Sequence, residues 1–255
     1  MKRTWLIGAW LGLAVAGGAK PAPGQSNSPT TAPSSGAPAT APSEVATLPP
    51  PTAALPPGMS RIFDGKTLEG WNAIPPASWI AKEGIIASLG VGRGVLYTTG
   101  QHERYRIVFD MRHVYGNKDH QACVLVFCTP PLNGEKPLDA LGGIQFQVPN
   151  GGHWDYRKGH NNGGNGEFTQ PPHEKFDVQQ WSRVEILVDA ASGTARMAVA
   201  QPPGSKAVEV LDFKEPTAGQ KGPFALQMHN KGLFDEYANI AIEVNPTRDE
   251  LITTK

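Results

Sequence analysis

Three stretches far apart in the chain place hydrogen-bonding side chains at alternate positions. In 105–113, Arg106, Asp110 and Arg112 alternate with Tyr105, Ile107, Phe109 and Met111. In 144–148, Gln145 and Gln147 alternate with Ile144, Phe146 and Val148. In 224–229, Gln227 and His229 alternate with Phe224, Leu226 and Met228. Successive side chains of an extended strand point to opposite faces. Each stretch therefore predicts a strand with one apolar and one polar face. A wet surface explains any one of them. Taken together, amides, guanidinium groups and imidazole suit directed hydrogen bonds to a polyhydroxylated ligand. Asp110 and His229 are the titratable candidates for catalysis. Arg112, Gln145, Gln147 and Gln227 are candidate substrate-binding groups.

A fourth segment, Asn150 to Glu167, follows directly on the second stretch. Its six glycines make it adaptable, and His153, Trp154 and Tyr156 bring stacking and hydrogen-bonding chemistry. It reads as a flap over a binding face, with Trp154 covering a sugar ring and His153 beside it. A glycine-rich surface excursion anchored by one Trp fits the same residues.

Other chemistries find no support. The seven histidines form no His-Glu-x-x-His pair, and there is no paired Cys motif for structural zinc. No Gly-x-Ser-x-Gly elbow and no phosphate-binding glycine loop occurs. Neither a cofactor nor a metal is expected. Cys123 and Cys128 invite a disulfide in an exported chain. On a strand, however, five residues separate them by roughly 16 Å, against the less than about 7 Å that a disulfide needs. Two unbridged, buried thiols on opposite faces are expected.

The elements that must carry these groups are short strands. Alternating runs appear near 79–82, 85–88, 94–98, 104–113, 121–128, 143–148, 182–189, 194–200, 207–213, 223–229 and 238–244, separated by Gly, Pro and Asn clusters. No long segment has a helical period. The expected fold is an all-β, two-sheet antiparallel sandwich.

The 255 residues carry 23 basic and 23 acidic side chains. That balance argues against a nucleic-acid partner. Lys2 and Arg3 precede an apolar run from Trp5 to Val15, which is too short to span a bilayer comfortably. Residues 1–19 therefore read as a cleaved signal peptide of a secreted or periplasmic protein. No Cys near the cleavage zone suggests a lipoprotein. Residues 20–58 hold eleven prolines among Ala, Ser and Thr and predict an unfolded spacer. The folded domain is expected over 59–247, with 248–255 as a tail. A sugar or polysaccharide is the expected ligand. No protein partner and no membrane span after cleavage are expected.

Two motifs at the ends of this domain carry a resemblance. Ile62-Phe63-Asp64-Gly65-Lys66-Thr67-Leu68-Glu69-Gly70-Trp71 resembles the opening motif of the 3-keto-disaccharide hydrolase domain family. Gly222-Pro223-Phe224-Ala225-Leu226-Gln227-Met228-His229, followed by Asn239-Ile240-Ala241-Ile242, resembles its closing motif. Trp181 matches a Trp before a long strand. The resemblance implies a concanavalin A-like lectin/glucanase sandwich acting on 3-keto-glycosides, by hydrolysis or by elimination followed by hydration. The chain departs from the pattern in three places. Gln145 stands where the family commonly has Glu, Ala238 where it has Arg, and Asn230 where it has Gly.

A ketone at C3 acidifies the C2 hydrogen, so elimination needs one base, one donor to the enolate oxygen and help for the leaving group. A direct glycosidase wants two carboxylates across the bond. His229 or Asp110 as base and Arg112 as oxyanion partner would meet the smaller requirement. The alternative is a non-catalytic carbohydrate-binding module on an extracytoplasmic spacer, and a third reading is a scaffold domain with no sugar site. The functional expectation requires Asp110, Arg112, Gln145, Gln147, Gln227 and His229 to converge.

Overall fold

A computed structural model describes residue 50 and residues 54–117, 122–129, 141–157 and 175–253. The predicted leader, most of the spacer, and 158–167 of the glycine-rich segment lie outside the described residues. Fourteen strands appear, joined by two short 3₁₀ turns and no α-helix among the described residues. They are β1 (Ser60–Arg61), β2 (Trp71–Ile74), β3 (Trp79–Lys82), β4 (Ile85–Ser88), β5 (Gly94–Thr98), β6 (Arg104–Tyr115) and β7 (Cys123–Val126). They continue as β8 (Ile144–Gln147), β9 (His153–Asp155), β10 (Ser182–Asp189), β11 (Thr194–Ala200), β12 (Val208–Lys214), β13 (Ala225–Met228) and β14 (Phe234–Val244).

The strands form an antiparallel sandwich. Sheet A runs β12-β11-β10-β6-β14-β4-β3, with β1 paired to β14. Sheet B runs β2-β5-β13-β7-β8-β9. The core between them is built from the apolar parity of each strand: Ile107, Phe109 and Met111 of β6, Val184, Ile186 and Val188 of β10, Ile144 and Phe146 of β8, and Leu226 and Met228 of β13. Phe109 packs against Phe224 and Tyr237 with ring centroids 5.9 and 6.1 Å apart. A two-sided sandwich core of this kind leaves every other side chain on an outer face.

The opening motif is a structural clasp. Asp64 accepts backbone hydrogen bonds from Lys66 and Thr67, both at 2.7 Å, and these hold its carboxyl below the usual range. Trp71 drops into the core and donates its indole N–H to the Ile62 carbonyl at 2.8 Å. Gly222 of the closing motif lies against the Cys128 carbonyl, where a Cβ would stand 1.7 Å from the oxygen, so no other residue fits.

Alternation fails in one predicted strand. β7 stops at Val126, and Phe127 takes φ +54°. Val126 and Phe127 then both face the main core, while Cys128 joins Leu125, Val95 and Ala225 on the outer side. Both cysteines are buried and neither forms a disulfide, as expected. Their placement on opposite faces is not observed, because the left-handed residue between them resets the parity.

Residues 248–253, beyond the expected boundary, are not a loose tail. Leu251 is buried against Leu187, Ala198, Ala200 and Ala207 on the outer face of sheet A.

Candidate functional site

The three polar stretches do not share one surface. Asp110 and Arg112 project from β6 to the outer face of sheet A. Gln145, Gln147 and Gln227 project from β8 and β13 to the outer face of sheet B, with the whole core between the two groups. The expected convergence of all six residues is thereby corrected. The parity of each strand was right; its sheet was not.

Asp110 is fully buried and its carboxylate is saturated. Arg183 donates to its two oxygens at 2.8 and 2.9 Å, and Asn239 adds a third bond at 2.7 Å. These bonds tie β6 to β10 and β14, the centre of sheet A. Arg112 donates to Glu236 at 2.7 Å and lies over the Trp181 ring, 4.9 Å from its centroid. Asp110, one of the two candidate catalytic residues, and Arg112, the candidate oxyanion partner, are thus held by partners on or beside sheet A.

On sheet B the register aligns side chains in rows. One row reads Ile74, Val95, Gln227, Cys123, Gln147 across β2, β5, β13, β7 and β8. The next reads Asn72, Tyr97, Ala225, Leu125, Gln145, Trp154, ending on β9. Strands about 4.8 Å apart and residues about 3.3 Å along put Gln227, Gln147 and Gln145 at the corners of a triangle of roughly 7 by 10 Å. That is the scale of one sugar ring. Among the described strand residues, none on this face is Asp or Glu.

The amides are not used up by the fold. Gln227 is 1% exposed, and neither end of its amide has a hydrogen-bond partner. Gln145 donates to the Cys123 sulfur at 3.2 Å, while its carbonyl oxygen has no partner. Buried amides are almost always satisfied, and these two, on one face, are not. His229 follows β13 immediately and is half-buried. The parity of that strand carries it to the Gln227 side.

Trp154 and His153 separate. Trp154 pairs with Gln145 and shares its face. His153 pairs with Phe146 and turns inward, its ring edge-on to Phe213 at 5.0 Å. The expected role of His153 on the sugar face is corrected accordingly. Cys123, expected only as a packing residue, lies among the three glutamines. Its parity with Leu125 was the signal for that position. A surface cavity of about 250 Å³ lies on sheet A, lined by Arg104, Asp189, Arg196 and Asp249 among others. Its arginines are already paired with carboxylates.

Residues 58–243 match the family described as the 3-keto-alpha-glucoside-1,2-lyase-like domain. None of the curated proteins matches in sequence. Two solved structures share the fold at low identity. The carbohydrate-binding module CBM66 from Bacillus subtilis is 11% identical with a TM-score of 0.50, covering 68% of this chain and 95% of its own. The exoplasmic/lumenal domain of VIP36 in its Ca²⁺-bound form is 8% identical with a TM-score of 0.50, covering 73% and 87%.

Proposed function

Since the chain belongs to the 3-keto-alpha-glucoside-1,2-lyase-like domain family, we propose that it binds a neutral glycoside on the glutamine face of sheet B and cleaves a 3-keto-glycoside there by elimination. The observation that carries this reading is the buried Gln227 amide with both ends unpartnered, in register with Cys123 and Gln147. A hydroxylated ring offers the donors and acceptors that such an amide lacks.

In this reading His229 is the base. It takes the C2 proton, and the C2–H electrons form the enolate between C2 and C3. The C1–O bond then breaks, and the departing oxygen takes the proton that His229 removed from C2. The amides of Gln145, Gln147 and Gln227 donate to oxygens of the sugar, including the one that gains charge. Trp154 flanks the ring. Water added across the new double bond completes the net hydrolysis. Asp110 and Arg112 have no part, since they serve sheet A.

A second reading, binding without turnover, is favoured by one specific observation. The face carries no carboxylate among its described strand residues, and Gln145 stands where the family commonly has an acid. CBM66 of Bacillus subtilis, which shares the fold, is a carbohydrate-binding module. Incubation with a 3-keto-disaccharide separates the two readings, following release of glucose or 2-hydroxyglucal. Release that disappears in a folded His229→Ala variant supports the lyase. Saturable binding without release supports the module. Neither binding nor release across a glycan panel refutes both.

We also propose export. Lys2, Arg3 and the apolar run that follows act as the address, and no described helix is long and apolar enough to cross a membrane. N-terminal sequencing of protein recovered outside the cytoplasm is expected to begin after Ala16 or Ala19. Recovery of the intact N-terminus in the cytoplasm refutes it.

A further inference from the structure

The turn from β13 to β14, residues 229–233, carries His229 at its sheet B end and Leu233 at its sheet A end. The sheet A end is pinned from several sides. Ser88 of β4 donates its hydroxyl to the Leu233 carbonyl at 3.1 Å and accepts from the Asp235 N–H at 2.8 Å. The Gly232 N–H donates to the Gly90 carbonyl at 2.8 Å. Gly116 lies so close that a Cβ on it would stand 2.6 Å from the Gly232 carbonyl oxygen. Leu233 itself is buried in the main core. With only Asn230, Lys231 and Gly232 between His229 and Leu233, the turn has little slack.

Next to this anchor lies a group of buried polar side chains with no part in the chemistry above. Asp235 faces His113 across β14 and β6, its carboxyl 2.7 Å from Nδ1, and both residues are fully buried. Asp235 Oδ2, His113 Nε2 and the Tyr237 hydroxyl have no hydrogen-bond partner. The titratable groups around Asp235 are His113 on β6, Tyr237 on its own strand and, beyond Tyr237, Cys123 on β7 of the facing sheet. From β4 comes the Ser88 hydroxyl, and from β3 the Trp79 indole, which packs on Tyr237 with ring centroids 6.4 Å apart. Burial holds the Asp235 carboxyl above its ordinary value of 3.8, while His113 pulls the other way.

Resting on the reading of His229 as the base, we propose that Asp235 is a positioning residue for it: through Ser88 and Leu233 it holds the turn while protonated and releases the turn on ionising. The ionised carboxylate brings a charge into the core with no donor at Oδ2. Water relieves that charge as the turn loosens, and His229 moves off the glycoside. The glutamines on β8 and β13 stay in place, because the pairing within sheet B holds them. A base displaced from its proton lowers kcat, whereas the sugar contacts that set KM remain.

The test has two arms, both on the full chain. In the first, protein isotope-labelled at the histidine rings is titrated by NMR, with His229 and His113 identified by the signals lost in His229→Gln and His113→Gln. The wild-type His229 signal is expected to show two inflections, its own and a second, above pH 3.8, that coincides with the ionisation of Asp235 seen at His113. Asp235→Asn removes the second inflection from both signals. Ser88→Ala removes it from His229 and leaves it at His113, because the link is cut while the pair is intact. A single inflection at wild-type His229 overturns the proposal. So does a second inflection that survives Ser88→Ala, since the field of Asp235 would then act directly. The second arm is turnover of a 3-keto-disaccharide. Wild-type kcat is expected to fall about tenfold as the second inflection is passed, with KM unchanged, and the fall to vanish in Asp235→Asn. A fall that persists in Asp235→Asn overturns the proposal. A wild type that releases no product yet shows both inflections sinks the lyase reading alone and leaves the link from Asp235 to His229 standing.

Discussion

Replacing Gln227 with Met tests the reading of the glutamine face most directly. Gln227 is 1% exposed, its cross-strand neighbours are Val95 and Cys123, and both polar ends of its amide lack partners. A buried polar group without a partner costs about 1–3 kcal/mol. Met is close to Gln in size, unbranched and apolar, and it fills irregular space well. The ligand-free Gln227→Met protein should therefore be more stable by about 1–2 kcal/mol. In a domain of this size that raises Tm by roughly 2–8 °C, at about 2–4 °C per kcal/mol. In urea the midpoint should move up with the slope unchanged. Glycoside binding or turnover should fall at least tenfold in the same protein, because the sugar hydroxyls then meet a thioether. The assay is a paired measurement, calorimetric Tm and ligand titration, on wild type and variant. A variant destabilised by more than about 1 kcal/mol refutes the reasoning, since the amide would then be serving the fold.

Three further outcomes follow from the structure. Arg106→Met leaves Glu185 charged and buried without its guanidinium, and urea denaturation should show a loss of about 3–5 kcal/mol. Asp235 faces His113 at 2.7 Å inside the sandwich, and burial pushes its carboxyl above the ordinary value of 3.8, against the pull of His113. Because the folded value lies above the unfolded one, the stabilising contribution is complete below pH 3.8 and is lost as pH rises through the folded value. Asp235→Asn should flatten that decline, and parallel stability profiles for the two proteins would refute it. Finally, burial pushes the Cys128 thiol far up, so iodoacetamide at pH 8 should leave it unlabelled in the folded protein and label both cysteines in urea. Labelling of Cys128 without denaturant contradicts the structure.

Much of the fold was legible because strand parity is local. The alternation of Ile107 with Val108, or of Phe146 with Gln147, is written in neighbouring residues, and the core follows it. Sheet membership is not local. β6 pairs with β10 and β14, whereas β13 pairs with β5 and β7. Nothing near Asp110 announces that its partner is Arg183, 73 residues away. The candidate site was half read for that reason: Gln145, Gln147, Gln227 and Trp154 share a face, while Asp110 and Arg112 belong to another. β9 escaped notice because three residues beside a glycine run show no period, and that hid the inward turn of His153. The motif from Ile62 to Trp71 marked the family through a turn and an anchoring indole rather than through a reactive group.

Met59 rests beside Val108 and Ala241, so the polypeptide enters the sandwich on the side opposite Gln227. A bead, fluorophore or fusion partner coupled upstream of that point therefore alters no side chain of the glutamine face. Immobilised preparations made this way should bind soluble saccharides as the free protein does, whereas coupling through lysines is spread over the whole surface.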